Sequence, residues 1–453
     1  MKRKSVIGIV SLLTVTAVLS SCGSNGGNGV LSGKSGKKET VTFWTHYSVN
    51  SEYQQQLIDE FNNNNNEVEI EMTHVTDQYS DMLYLSMSSN DSPDIYMVTG
   101  PSMTKKVTQM EWAKPLNEFV TDEFKDRFIG DVWIKNNNVI NGNIMMIPDQ
   151  SATFRMLYNT ELFKRAGIDK VPATFDEMRE AAKKISALGD DYDGFGLELS
   201  DTYQLDLAVF NGIGNYALGT LHGYDYAKGE FDYSVYKPVI EMFRGMKLDG
   251  SLIDGELLIG VDNVRARFGE GKVGMIPSVS WETSMFEEMN PQFEIGVANW
   301  PTVDGTPKGK NTLQISSGFA MSNFCEKPEA AWKAIEFLSS EDFTGKLNAK
   351  NATISLLKAD QGEKTEYANK LQPYFMPNES DAVWPALVPA LKMKGDFKGP
   401  VFTKLITESD IDIDAALKDL TDRSNEAFRE ACANGEINED EYFIDGFNPM
   451  ELK

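Results

Sequence analysis

The 453-residue chain has three cysteines and three histidines, too few for a disulfide framework or a His/Cys metal cluster. Basic charge is short as well: 43 lysines and arginines stand against 68 acids, a formal net charge of −25. That deficit excludes nucleic-acid or anionic-membrane binding through a basic patch and reads most simply as a solubility feature. His46, His74 and His222 are widely separated, and HExxH, GxSxG and zinc-spaced cysteine pairs are all missing. Metal hydrolysis and nucleophilic acyl transfer therefore have no sequence handle, and neither a metal nor a cofactor is expected. Long apolar runs are scarce too. The run from Val6 to Leu19 is interrupted by Ser11, Thr14 and Thr16, and it falls short of the roughly 20 residues a spanning helix needs.

Three short stretches imitate motifs without their context. "NGVLSGKS" (Asn28 to Ser35) nearly matches a phosphate-binding loop but lacks its first glycine and the flanking strand and helix. "GIGNYA" (Gly212 to Ala217) fits the loose dinucleotide pattern but follows a helical segment, so it reads as a glycine-rich turn. The glycine of "GDDYDG" (Gly189 to Gly194) comes too early for a calcium loop, which leaves a solvated turn.

What is present begins at the amino terminus. Lys2, Arg3 and Lys4 precede the apolar run, and small residues close it, as in a secretory signal spanning residues 1–21. Leu19-Ser20-Ser21-Cys22 resembles the lipobox of bacterial lipoproteins, which makes Cys22 the expected lipidation site and membrane anchor. Residues 22–38 are rich in Gly, Ser and Asn and read as a flexible leash. The remainder is too long for one hydrophobic core and long enough for two lobes.

From Thr40 the pattern alternates strand and helix. "TVTFW" reads as a buried strand. Ser51 opens a helix carrying Leu57, Ile58 and Phe61, and "EVEIEMTHV" alternates acidic and apolar residues with a period of two. A helix over Gln78 to Ser89 and the strand "PDIYMV" follow. This order predicts an α/β fold with a parallel sheet and covering helices. Further on, Thr174 and Glu177 form a capping box, Pro328 suits the first turn of a helix, and a last long helix spans about Ile413 to Ala433.

Four tryptophans lie at element ends: Trp44, Trp281, Trp300 and Trp384. Ligands of open parallel sheets bind at the carboxyl ends of strands, and an aromatic face there can stack on a sugar ring. Each of the four stands between edge-of-core packing and ligand contact; as a set they favour a ligand cleft. Trp332, at helical spacing with Ile335 and Leu338, reads as core. Any two of the 68 acids can converge as a glycosidase pair, which keeps a secreted glycosidase as an alternative.

From about Glu39 onward the chain resembles the family 1 extracellular solute-binding proteins, lipoprotein receptors of bacterial sugar importers driven by ATP. The resemblance is carried by "VTFWTHYSVNSEYQQQLIDEFNNNNNEVEIE", "PDIYMVTG", "IPDQSATFRMLYNTELFKRAGIDKVPATFDEMREAAKKI" and "FGEGKVGMIPSVSW". It implies a two-lobed periplasmic-binding-protein fold, each lobe a mostly parallel sheet flanked by helices, the lobes joined by crossing strands. Residues 39–148 plus 317–359 would form the amino-terminal lobe, and 149–316 plus 360–453 the carboxy-terminal lobe. Trp281 matches a sugar-stacking position, and Trp384 lies where a second is often found. The loops Trp44–Tyr47, Val98–Pro101 and Pro148–Ser151 match cleft-lining segments, with His46, Thr99 and Asp149 as polar contacts and Ser316 and Ser317 near a later crossover. "PDIYMVTG" lacks the Trp and charged residues of maltose-binding members, which speaks against maltose. The resemblance further implies an importer permease as partner, membrane attachment through Cys22, a monomer and no catalytic residue. Glycerol phosphate and polyamine are alternative cargoes, and Arg155 is the arginine placed to hold a phosphate.

Overall fold

The computed structural model describes residues 38–47, 51–75, 78–200, 202–350, 354–361, 367 and 369–452. The signal, Cys22 and the leash up to residue 37 lie outside the described residues. Ten strands matter for the site: β1 (Glu39–Thr45), β2 (Val68–His74), β3 (Ile95–Val98), β4 (Ile147–Ala152), β5 (Phe154–Asn159), β6 (Asp193–Phe195), β7 (Val273–Val279), β8 (Ile295–Ala298), β9 (Gln314–Met321) and β10 (Ile354–Ser355). They form a six-stranded sheet ordered β10-β4-β9-β3-β1-β2 and a four-stranded sheet ordered β8-β5-β7-β6.

The local signals act as physical chemistry requires. In β2, Val68 and Ile70 are buried while Glu69 and Glu71 face solvent, as befits an edge strand with one wet face. Leu57 and Ile58 of helix α1 (Ser51–Asn64) are buried in the same core as Val41 and Phe43 of β1. Helix α2 (Tyr79–Ser88) and the all-buried β3 follow, leading into helix α3 (Gly100–Gln109). The capping box is present at helix α4 (Phe175–Ser186): Glu177 N–H donates to Thr174 Oγ1, and the Glu177 carboxylate accepts from Thr174 N–H. The "GIGNYA" glycines continue a π-helix over Asp206–Ile213 and lie in no strand-to-helix turn.

One feature differs from the expected mostly parallel sheets. β1 is parallel to β2 and β3, and β7 to β6. By contrast β9 is antiparallel to β3 and β4, β10 to β4, and β5 to β7 and β8. Parallel pairs occur where a helix returns the chain to the same edge. The antiparallel β4 and β5 carry the chain from one sheet into the other. β4 and β5 are nearly one strand, with Thr153 alone between them, so a single segment belongs to both sheets. At this passage Ser280 N–H donates to Thr153 O at 3.0 Å, and Ala152, Phe154, Leu207 and Val279 form a small apolar cluster of their own.

Helix α4 seats on β6 so closely that a Cβ on Gly194 would lie 2.1 Å from Ala182 O, a backbone atom that cannot swing aside. Gly194→Ala is therefore expected to lower unfolding free energy by about 1–3 kcal/mol through overpacking, measured as a lower urea midpoint at unchanged slope. Cys325 is buried, Cys432 is half-buried, and both are free thiols.

Candidate functional site

β1 ends at Thr45, and the chain continues outward through His46 and Tyr47, a strand end of the kind that carries ligands in open α/β sheets. Tyr47 N–H donates to Thr45 Oγ1 at 3.1 Å, and its carbonyl meets His74 Nδ1 at 2.8 Å, which fixes the turn. Tyr47 shares a recess of about 30 Å³ with Asp149, Gln150 and Thr344. Gln150 Nε2 donates to Asp149 Oδ2 and to Ser317 Oγ, both at 3.2 Å, and Thr344 Oγ1 donates to Asp149 Oδ1 at 3.0 Å. Burial, with Asp149 adding to it, raises the Tyr47 phenol above its ordinary range against a hydrogen bond with Ser317. Asp149, Ser317 and Tyr47 are therefore brought together. The register between β9 and β4 slips at Ser317, where Ser316 Oγ donates to Gln150 O at 3.2 Å; such irregularities re-aim side chains.

Trp44 and Thr99 are half-buried at the ends of β1 and β3. His46 packs against Tyr79 and Tyr47 with centroids 5.4 and 4.9 Å away, and burial lowers its pKa. Its Nδ1 is buried with no hydrogen-bond partner among the described residues.

Burial lifts the Asp149 carboxyl to about 6, against the opposing hydrogen bonds from Thr344 and Gln150. A carboxyl raised above its ordinary 3.8 stabilises the fold fully below that value and loses the contribution as pH rises through about 6. The unliganded protein is thus expected to lose on the order of 2–3 kcal/mol of stability from this group between pH 4 and 6.5. Thermal denaturation across that range should show the slope, and Asp149→Asn should flatten it.

The second sheet supplies a different surface. Trp281 follows β7, is 43% exposed, and meets Phe154 edge-on with centroids 6.5 Å apart. It lines a recess of about 390 Å³ with Tyr203, Arg265 and Glu282. Arg265 Nη2 bonds Glu282 Oε1, Tyr203 O–H donates to that carboxylate at 3.3 Å, and Ser278 Oγ donates to Oε2 at 2.9 Å. Burial raises the Glu282 carboxyl despite Arg265. The result is an aromatic face beside a fixed set of donors and acceptors. Asp149 and Phe154 are five residues apart on one extended segment, at most about 17 Å, so the two recesses flank the passage between the sheets.

A larger cavity of about 830 Å³ is lined by Ser102 and Lys105 of α3, by Asn136, and by His222, Phe397 and Lys398. Helix α5 (Lys398–Thr407) starts against Thr202, since a Cβ on Gly399 would lie 2.3 Å from Thr202 Cγ2. The wall of this cavity therefore adjoins Tyr203 and the Trp281 recess.

Two of the expected aromatics are elsewhere. Trp300 is 2% exposed, in the core of the second sheet near Phe195, and Trp384 is 4% exposed, with Nε1–H donating to Lys310 O at 3.0 Å. A tryptophan before proline at an element end is equally suited to closing a core, and burial of its large apolar body wins here. Arg155 is likewise buried, paired with Asp381 at 2.7 Å, and is not open to a phosphate. Tyr203, Arg265 and Phe397 line the site without having been singled out in the sequence. Each belongs to a pattern dominated by neighbouring core residues; only the 60% exposure of Phe397 and the placement of Arg265 beside Trp281 reveal them.

The profile of the bacterial extracellular solute-binding protein family matches residues 47–344. A binding protein of Brucella abortus is 26% identical over 307 residues, covering 68% of this chain and 71% of that one. The arabinooligosaccharide-binding protein of Bacillus subtilis is 24% identical over 199 residues, 41% of this chain and 42% of the relative. The solved structure of the sugar-binding protein MalE from Xanthomonas citri shares the fold with a TM-score of 0.67, at 17% identity, covering 88% of this chain and 99% of that one. With a two-lobed α/β fold and a family match over well more than half its length, the chain belongs to the bacterial extracellular solute-binding proteins.

Proposed function

We propose that the chain captures a carbohydrate between an amino-terminal lobe (39–148 plus 317–359) and a carboxy-terminal lobe (149–316 plus 360–453) and delivers it to the permease of an ATP-driven importer. The observation that carries this reading is Trp281, a large aromatic left 43% exposed beside a fixed Tyr203–Arg265–Glu282 network. A flat ring beside oriented donors and acceptors suits a sugar, whose C–H face stacks while its hydroxyls bond. The Bacillus relative, which binds arabinooligosaccharides, and the sugar-binding Xanthomonas structure support the same cargo class.

Ligand touching both lobes favours the closed form by the difference in its affinity for the two. Tyr47 and Ser317 of the amino-terminal lobe, with Asp149 at the start of the crossing segment, would meet it from one side and Trp281 from the other, with Trp44, His46 and Thr99 at the rim. The protein binds and releases without turnover. Lipid on Cys22 holds it at the outer face of the cell membrane, and the leash lets it reach the permease. Among the described residues, no helix is long and apolar enough to cross a membrane.

The test is the melting temperature of the chain from Gly23, with a panel of mono- and oligosaccharides, glycerol phosphates and polyamines. A rise following RT ln(1 + [L]/Kd) with one sugar class, the sugar recovered intact, is expected. A consumed sugar would establish a glycosidase, and a rise only with a charged non-sugar would overturn the cargo.

A further inference from the structure

In a chain of net charge −25, Lys105 of α3 and Lys398 of α5 both line the 830 Å³ cavity. Among the described residues, neither Lys105 on α3 nor Lys398 at the start of α5 has a carboxylate within salt-bridge distance. Lys398 Nζ donates to His222 Nδ1 at 2.7 Å, so that nitrogen accepts, and Nε2–H donates to Asn211 Oδ1 at 3.0 Å. His222 is therefore a neutral imidazole that orients the ammonium. The ammonium also lies over the Phe210 ring, 4.7 Å from its centroid. Burial lowers the Lys398 pKa, and Asp206 opposes this from beyond ion-pair distance.

A second feature points the same way. Lys398 is the first residue of a ten-residue helix whose N-cap, Phe397, offers no side-chain acceptor. The positive end of α5 thus starts at a residue that lines the cavity. The cavity's carboxylates lie elsewhere on it, on the 436–441 segment, and Glu436 is paired with Lys392 at 3.0 Å. The half-buried Lys398 ammonium has a neutral imidazole and a ring face for neighbours and no ion-paired carboxylate, and a ligand in the cavity can supply an anionic partner.

We propose that the cargo carries an acidic group, a carboxylate or a phosphate on the sugar, seated at Lys398 and the start of α5, with Lys105 closing on it from the other lobe. This rests on the carbohydrate reading and names its class: an acidic saccharide. An anion held by lysines of both lobes contributes directly to closure, because the open form offers only one of them.

The test is calorimetric titration of wild type, Lys398→Met and Lys105→Met. The probes are uronic-acid oligosaccharides, their carboxyl-reduced neutral counterparts, glucose 6-phosphate and inorganic phosphate. Wild type is expected to prefer an acidic sugar over its neutral match by about tenfold or more, with the preference abolished in K398M, reduced in K105M and weakened by salt. Preference for the uronate or for the sugar phosphate identifies which acid is carried. Equal binding of acidic and neutral sugars, or an undiminished preference in K398M, overturns the anion seat and leaves the carbohydrate receptor standing. Binding of inorganic phosphate with no sugar keeps the seat and overturns the carbohydrate, and binding of none of the probes overturns both. Unliganded K398M should melt within a few degrees of wild type, since Lys398 is only half-buried and has no ion pair to lose; should it fail to fold, the K105M titration reads the same preference.

Discussion

Trp281→Ala is expected to weaken sugar binding by about 30- to 100-fold while leaving the melting temperature of the unliganded protein within a degree or two. Binding energy concentrates in aromatic anchors that become desolvated in the complex, commonly worth about 2–3 kcal/mol each. Trp281 has the position for this. Its 43% exposure leaves a ring face for the ligand, while the ring meets Phe154 edge-on and its side chain interacts with Tyr203. Truncation therefore removes little packing from the free protein and most of the stacking surface from the complex. Tyr203 O–H, Arg265 and Glu282 would remain bonded to one another, so the loss should appear in affinity and not in fold. Calorimetry with the captured sugar measures it, and Trp281→Phe, which keeps a smaller ring, should fall between. Unchanged affinity in W281A would remove the stacking face from the site.

Arg155→Met has the largest expected effect on stability. Arg155 and Asp381 are 2% and 0% exposed and meet at 2.7 Å, while Arg155 Nη1 also donates to Phe154 O at 3.1 Å and Asp381 Oδ2 accepts from Asn378 N–H at 2.9 Å. The pair fastens β5, just past the passage between the sheets, to the late segment around Asp381 that runs beside Asn311–Thr312. Removing one partner strands a buried charge, which costs about 3–5 kcal/mol. Replacing both, as R155M with Asp381→Leu, should recover much of that, because an apolar pair needs no desolvated charge. Urea unfolding of the two single variants and the double variant measures the coupling. A loss under 1 kcal/mol in R155M would mean that water reaches Asp381.

The contrast between Trp281 and Trp300 shows where sequence reading reaches its limit. Both end strands of the second sheet, yet one is 43% exposed and the other 2%. Periodicity reports which face of an element is apolar; it does not report what packs beyond the element's end. Trp300 is covered by Gly212, whose missing Cβ would lie 2.3 Å from the indole nitrogen, a contact between segments almost ninety residues apart. Signals local to one element were legible: the alternation of β2, the capping box of α4, Pro328 at a helix start, and the long helix over Ile413–Ala433. The sense of the crossing strands was not, because β4 and β5 have the same extended pattern whichever sheet receives them. Lys398 and His222 were invisible for a similar reason: each is ordinary in its own segment, and only their meeting across 176 positions makes a site.

A sugar is expected to be enclosed over Trp281 and released unchanged. Tryptophan fluorescence with acrylamide as quencher tests it most directly, since Trp112, Trp300, Trp332 and Trp384 are already buried and Trp281 is the most exposed of the described tryptophans. Saturating sugar should protect the exposed component from quenching, W281F should lack that component, and the sugar should be recovered intact. Binding that leaves the quenching of Trp281 unaltered, or a sugar that is cleaved during the titration, would contradict the account.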